Sequence, residues 1–224
     1  MISLQFNLTE FLEPILLSLK VSLFSSIIVF IIALFLARLM SRTAFRGKLI
    51  VETFFMLPLV LPPTVVGFIL LVIFGRRSSV GRSIEWLFGQ PLVFTWYAAV
   101  VASVVVSFPL IYQTIKVGLQ AIDKDLEDSG RSIGANEWQV FRWITLPLAL
   151  PSLISGFILG FARGLGEFGA TLMLAGNIPG RTQTLPTAIY IAVDSGKITM
   201  AWLWSISIIV ISFIMLSIAN RKVN

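Results

Sequence analysis

The sequence predicts an all-α integral membrane protein with about five spanning helices. Three observations carry this. Of 224 residues, 57% are hydrophobic and only 12% charged, with a mean hydropathy of +0.93; a soluble domain carries about 25% charged residues. Apolar runs long enough to cross a bilayer, which takes about 20 residues, recur at 15–39, 49–74, 92–117, 146–175 and 200–219. Between the third and fourth runs the chain turns polar and charged from Lys116 to Trp143, which isolates one large connection.

The first run lacks a basic start and a small-residue cleavage site. It is also too long for a signal-peptide core, so it is read as a span. The second contains LPLVLPPTVVG, in which Pro58, Pro62 and Pro63 each remove a backbone donor and bend or break a helix. In lipid the freed carbonyls need partners, so the break is either a packing kink or a wall of a water-filled path. The third run leads into the polar connection, 118–143. That connection opens with Gly118 and an acidic run, Asp123, Asp125, Glu127 and Asp128, where a short helix is expected. Gly134-Ala135 permits a tight turn or close approach by another backbone. Trp138, Val140, Phe141 and Trp143 then offer apolar side chains. They belong either to an interfacial connector or to a docking helix that fills a groove on a partner.

The fourth run is long enough for a tilted span plus an extra turn or a break. Its FARGLGEFGATLMLAGN segment places Gly164, Gly166 and Gly169 in G-x-G-x-x-G spacing. A dinucleotide site needs a strand before and a helix after this pattern; inside an apolar span, close helix packing through small residues accounts for it better. Arg163 and Glu167 stand four apart, on one helix face, where they can pair. Ionised groups in a span face the protein interior or a cavity, so the pair is either structural or part of a gate. NIPGRTQTLPTAIY, Asn177 to Tyr190, reads as a turn at Pro179-Gly180 followed by a short helix. No internal repeat appears, and residues 1–224 are expected to form a single transmembrane domain.

Lys and Arg set the expected orientation. Arg38, Arg42, Arg46, Lys48, Lys116, Lys124, Arg131, Arg142, Arg221 and Lys222 fall on one side, against Arg76, Arg77, Arg82, Arg181 and Lys197 on the other. This bias places the N-terminus outside, and the connection 118–143 and the C-terminus in the cytoplasm. It also accounts for the net charge of +6 without a nucleic-acid partner. With no histidine and no cysteine, the chain lacks imidazole bases, thiol nucleophiles and histidine or thiolate metal ligands. No G-x-x-x-x-G-K-[ST] occurs, so ATP-driven work needs a separate subunit. A secondary transporter would need intramembrane carboxylates for ion coupling, and only Glu167 lies deep in a span.

Gly134, nine residues, Ile144, Thr145 and Leu146-Pro147 resemble the cytoplasmic motif of the permeases of bacterial ABC importers, in which Glu-Ala-Ala stands three residues before the glycine. Here that position reads Asp128-Ser129-Gly130: the acid is retained and the alanines are not. A glycine costs about 1 kcal/mol against alanine in a helix interior. The proline-rich stretch is similar to molybdate and sulfate permeases of this family, and Gly166-Glu167-Phe168-Gly169-Ala170 to its oxyanion importers. Asn177 to Tyr190 resembles the molybdate permeases more closely than the sulfate ones. The resemblance to molybdate permeases runs over nearly the whole chain, from Leu16 to Ala219. Tungstate or sulfate permeases are the related alternative.

The resemblance implies the type I ABC importer permease fold. It implies that Asp128, Ser129, Gly130, Gly134, Ala135, Ile144, Leu146 and Pro147 form the element that seats in the ATPase. It implies that Pro58, Pro62, Pro63, Arg163, Glu167 and Thr171 belong to the translocation pathway or its gate. The implied assembly has two permease copies in lipid, two ABC ATPase subunits and an extracytoplasmic molybdate-binding protein. ATP and Mg would sit on the ATPase, with no cofactor and no catalytic residue in this chain.

Overall fold

The computed structural model describes the backbone of residues 8–223 and the side chains of residues 8–217. Arg221 and Lys222, counted in the charge bias above, lie outside the described side chains. The described chain is helical: α1 (Leu8–Arg42), α2 (Lys48–Val60), α3 (Pro63–Phe74), α4 (Ser79–Phe88), α5 (Trp96–Gln120), α6 (Lys124–Ser132), α7 (Glu137–Val140), a π-helical turn (Phe141–Thr145), α8 (Leu146–Leu165), α9 (Gly169–Ala175), α10 (Leu185–Asp194) and α11 (Ile198–Val223). Four helical stretches are long and apolar enough to cross a membrane, and the bent pair α2–α3 makes a fifth.

The centre is the packing of α1, α5 and α8 on one another. Each presents small residues inward. On α1 these are Ser18, Ser22, Ser25, Ser26, Ala33 and Ala37, spaced along one face, while isoleucine, leucine and phenylalanine point outward. On α8, Gly156, Gly160 and Gly164 recur every fourth residue. A Cβ built on Gly160 would stand 2.0 Å from Ile111 Cδ1 of α5, and one on Gly164 would stand 2.6 Å from Ser103 Oγ. Between lipid-exposed helices there is no hydrophobic drive to associate, so close approach and dispersion hold the bundle. Ser103 also donates to Ser25 Oγ at 2.9 Å, joining α5 to α1. The glycines chiefly responsible are therefore the 156–160–164 series. Of the sequence triplet, Gly164 and Gly169 pack closely, and Gly166 is exposed.

The second apolar run is two helices meeting at 113°. α2 continues through Pro58 to Val60; the break falls at Leu61 and Pro62, with Pro63 opening α3. The turn satisfies its own carbonyls: Leu61 N–H donates to Leu57 O, and Val65 and Val66 N–H donate to Pro62 O. α3 then lies against α9 so closely that a Cβ on Gly67 would meet Ala170 Cα at 2.7 Å. By contrast, α2 has no buried side chain. It is held to α5 by edge contacts of Phe55 with Phe108 and Tyr112, both 5.3 Å between ring centroids, and by Lys116 donating to Glu52 at 2.7 Å.

Two boundaries differ from the sequence expectation. The predicted connection 118–143 loses its first three residues to α5, because Gly118 is buried where its missing side chain admits Ser152 of α8. The predicted run 146–175 is a helix to Leu165, a break, and then α9. α4, between the second and third runs, had no counterpart in the sequence reading. It is a short amphipathic helix capped by Ser78, which accepts from Gly81 N–H, and ended by Gly89 in the left-handed region.

Candidate coupling and pathway sites

The connection between α5 and α8 is a folded unit. Asp123 starts α6 by accepting from Asp125 N–H. Gly134 ends it with φ +91°. Gly134 N–H donates to Arg131 O at 2.9 Å and Ala135 N–H to Gly130 O at 3.1 Å. This pair of bonds is the Schellman closure, which places its glycine in the left-handed region. Asn136 and Gln139 then cap each other across the start of α7, a reciprocal box that satisfies two backbone donors. Leu146 N–H reaches back to Phe141 O, which makes the π turn.

Gly130, where the resemblance leads one to expect alanine, is buried. A Cβ there would stand 2.6 Å from Ile144 Cδ1. The residue is thus the seat on which the Ile144 side chain packs α6 against the π turn, which offsets its poor helix propensity. Leu146 packs on the core around Ile111 and Ile115. Asp128, Ser129 and Pro147 are exposed; Asp128 pairs with Arg131, and Ser129 donates to Asp125 O at 2.7 Å.

A network not picked out from sequence ties this unit to the end of α1. Arg42 donates to Glu127 Oε1 at 3.0 Å and to Glu137. Arg131 reaches Glu127, Asp128 and Glu137. Thr145 of the π turn donates to Glu127 Oε1 at 2.6 Å. The Arg38 guanidinium lies 3.5 Å from the centroid of the Phe141 ring and donates to Glu137 O at 3.3 Å. Three helices and the π turn therefore share one charge cluster around a cavity of about 630 Å³.

Burial pushes the Glu127 carboxyl up, but the hydrogen bond from Thr145 and the Arg42 charge outweigh it and hold it below the ordinary range. Hydrogen bonds from Arg131 bring Glu137 down to about 2 and raise Arg131. A depressed carboxyl contributes stability above its ordinary pKa of 4.5 and loses it only as pH falls toward the folded value. Glu127 and Glu137 therefore stay ionised across the physiological range.

The apolar residues of the unit divide. Val140 and Phe141 are buried, contrary to their expected exposure. Trp138, Trp143 and Leu126 are exposed, and Ile133 is 88% exposed. They are the exposed apolar side chains of the unit, with Trp138 also beside Phe141 and Arg38.

The second group surrounds the two breaks. Arg163 Nη1 donates to Glu167 Oε2 at 2.8 Å, and Glu167 Oε1 accepts Ala170 N–H at 2.8 Å. Glu167 is thus both ion partner and cap for α9. Its side chain is 2% exposed, against 29% for Arg163. Pro63 and Thr64, at the start of α3, stand about where a Cβ on Gly169 would touch them, at 3.1 and 3.2 Å. The two breaks therefore face each other. Thr171 is buried within α9, whereas Pro62 and Pro63 are exposed. Among the described residues no group of three acidic side chains could hold a metal ion.

A bundle of long apolar helices with one braced polar connection defines a multi-span membrane protein. Residues 29–223 match the model of the binding-protein-dependent transport system inner membrane components. The chain belongs to that family, and so is a multi-pass component of the cytoplasmic membrane. It is 57% identical over 214 residues, 96% of its own length and 94% of the relative's, to the candidate molybdenum transport system permease protein YvgM of Bacillus subtilis (strain 168). It is 45% identical over 183 residues, covering 82% of this chain and 80% of the relative, to the molybdenum transport system permease protein ModB of Escherichia coli (strain K12). In fold it resembles a bacterial ABC transporter involved in the import of the acidic polysaccharide alginate, with TM-score 0.77, 17% identity and coverage of 97% of this chain and 80% of that one. It also resembles the MetNI methionine ABC transporter in an inward-facing form, with TM-score 0.71, 18% identity and coverage of 94% and 93%. The architecture is that of the type I ABC importer permeases.

Proposed function

We propose that this chain is the membrane-spanning subunit of an ATP-driven molybdate importer. The observation that carries the substrate is its similarity, over most of its length, to molybdenum transport permeases. Two copies form the pathway, and a molybdate-binding protein delivers the anion outside. Two ABC ATPase subunits, which hold ATP and Mg, seat on the α6–π-turn unit. The chain is non-catalytic and holds no cofactor. Closure of the ATPase pair pushes on α6, and the Arg42–Glu127–Thr145 cluster passes that displacement to α1 and α8. Pro58, Pro62, Pro63, Arg163, Glu167 and Thr171 belong to the pathway or its gate.

Cells lacking this gene should lose molybdoenzyme activity at low external molybdate and recover it when molybdate is abundant. Loss of sulfate-dependent growth instead would replace molybdate by sulfate as the cargo.

The charge bias orients the N-terminus outside and the α6 unit in the cytoplasm. In this cysteine-free chain, Arg181→Cys should react with an impermeant thiol reagent on intact cells and Ser129→Cys should not. Both native side chains are exposed, whereas the neighbouring Thr182 is fully buried and would be a poor reporter. The reverse labelling pattern would invert the topology.

A further inference from the structure

We propose that the groove between α2, α5 and α8 is the wall of the aqueous path in the half of the membrane next to the ATPase. Gln113, Thr114, Ser152 and Ser155 are the side chains past which the oxyanion moves. The proposal rests on the importer reading above and assigns it a place in the bundle.

The groove has a volume of about 530 Å³ and is lined by these four polar residues among apolar ones such as Met56 and Pro109. Two other grooves between spans make the contrast. One of about 710 Å³, between α1, α8 and α11, and one of about 400 Å³, between α1, α2, α3 and α5, have no polar lining residue at all. They suit acyl chains. The α2–α5–α8 groove does not: Thr114 Oγ1 is satisfied by Leu110 O at 2.8 Å, but the Gln113 amide and the Ser152 and Ser155 hydroxyls facing hydrocarbon would give up their hydrogen bonds to water.

Gln113 makes the point most sharply. From Ala98 to Tyr112 no side chain of α5 is exposed; the next residue is an exposed glutamine. Its amide has no partner among the described residues. The groove runs inward from the ends of both helices. Gln113 is seven residues from the end of α5, roughly 10 Å along the axis. Ser152 and Ser155 lie six and nine residues into α8, roughly 9 and 14 Å. Gly118 against Ser152 and Gly156 against Thr114 fix the register of the antiparallel helices, so Gln113 stands roughly 7 Å deeper than Ser152, near the level of Ser155 and Gly156.

The groove also has the chemistry an anion path needs. Amide and hydroxyl groups donate hydrogen bonds to an oxyanion without fixing a net charge. No ionised residue lines it, and Lys116 and Glu52 on the adjoining α5 and α2 neutralise each other at 2.7 Å and are mostly covered, at 13% and 21% exposure. A lone cation here would hold a dianion in a deep electrostatic well. Neutral donors replace part of its hydration and let it leave.

The test uses single cysteines at Gln113→Cys and Ser155→Cys, with Ile31→Cys and Ile69→Cys in the apolar grooves as references. Intact importer in inside-out membrane vesicles is treated with a permanently charged methanethiosulfonate. Positions 113 and 155 are expected to react at least tenfold faster than 31 and 69. Gln113→Leu is expected to slow molybdate uptake in cells at least fivefold while the ATPase still co-purifies. Reaction at 113 and 155 no faster than at the references means a lipid-covered face and overturns the proposal. The same slow reaction with efficient cross-linking between copies means a dry interface and overturns it equally. If wild-type cells take up no molybdate, the importer reading fails whatever the labelling pattern; if they do and the labelling is flat, only the wall assignment fails.

Discussion

Aspartate in place of Ile133 or Trp143 is expected to strip the ATPase from the purified complex and to lower uptake at least thirtyfold, with the permease still inserted. The two side chains are 88% and 71% exposed on the unit that joins α5 to α8, so replacing them removes little from the fold itself. In a docked complex they would be the apolar anchors. Truncating such an anchor costs about 2 kcal/mol or more, which is roughly a factor of thirty, and a carboxylate adds the cost of burying a charge. Gly134 sharpens the comparison. At φ +91° with open space around it, Gly134→Asn keeps a residue that tolerates the left-handed region, whereas Gly134→Leu strains the end of α6. Asparagine should preserve docking and leucine should weaken it. Co-purification of the ATPase through a tag on the permease, measured beside uptake, reads all four variants. Normal values for both aspartate variants would show that this face seats nothing.

The second large effect belongs to Glu167. Glu167→Leu removes the partner of Arg163 and the cap of α9 in one change. Removing one member of a buried pair costs about 3–5 kcal/mol. The 29% exposure of Arg163 lets that cation find some water, which brings the expected loss to about 2–3 kcal/mol. Glu167→Gln keeps an oxygen for Ala170 N–H and should lose less. Arg163→Gln combined with Glu167→Gln should recover part of the loss, because no lone charge remains. The measurement is the temperature at which detergent-purified permease loses its monodisperse peak, together with uptake. Unchanged stability and uptake in Glu167→Leu would make the pair a bystander.

How much of this could be read from the sequence depended on range. The helical class and the apolar runs were legible because they are properties of contiguous segments. The pairing of Arg163 with Glu167 was legible because four residues make one helical turn. The break in the second run was legible because Pro62-Pro63 marks it locally, whereas the break after Leu165 had no assigned position within the run 146–175. The brace on α6 was not. Arg42 and Glu127 are 85 residues apart, and nothing local distinguishes Arg38 or Arg42 from any basic residue at the end of a span. Gly130 was misjudged for the same reason: its helix cost is local, whereas the seat it gives Ile144 exists only after folding. The extension of α5 through Gly118 also depended on a contact with a helix more than thirty residues later. The one weak signal for the brace was the density of acids at Asp123, Asp125, Glu127 and Asp128 beside Arg131. It indicated only a short helix there.

The same brace bears on how quickly and how tightly a partner can be engaged. Residues 123–145 are already ordered by the Schellman closure, the reciprocal cap and the Arg38 and Arg42 contacts. A flexible segment of this length would lose backbone freedom on docking, at about 1–2 kcal/mol for each residue fixed. Here most of that entropy is surrendered during folding of the membrane domain, before any encounter. The exposed apolar side chains can therefore be few and still bind well. A synthetic peptide of the same residues, without the end of α1 to hold it, would compete poorly for the site.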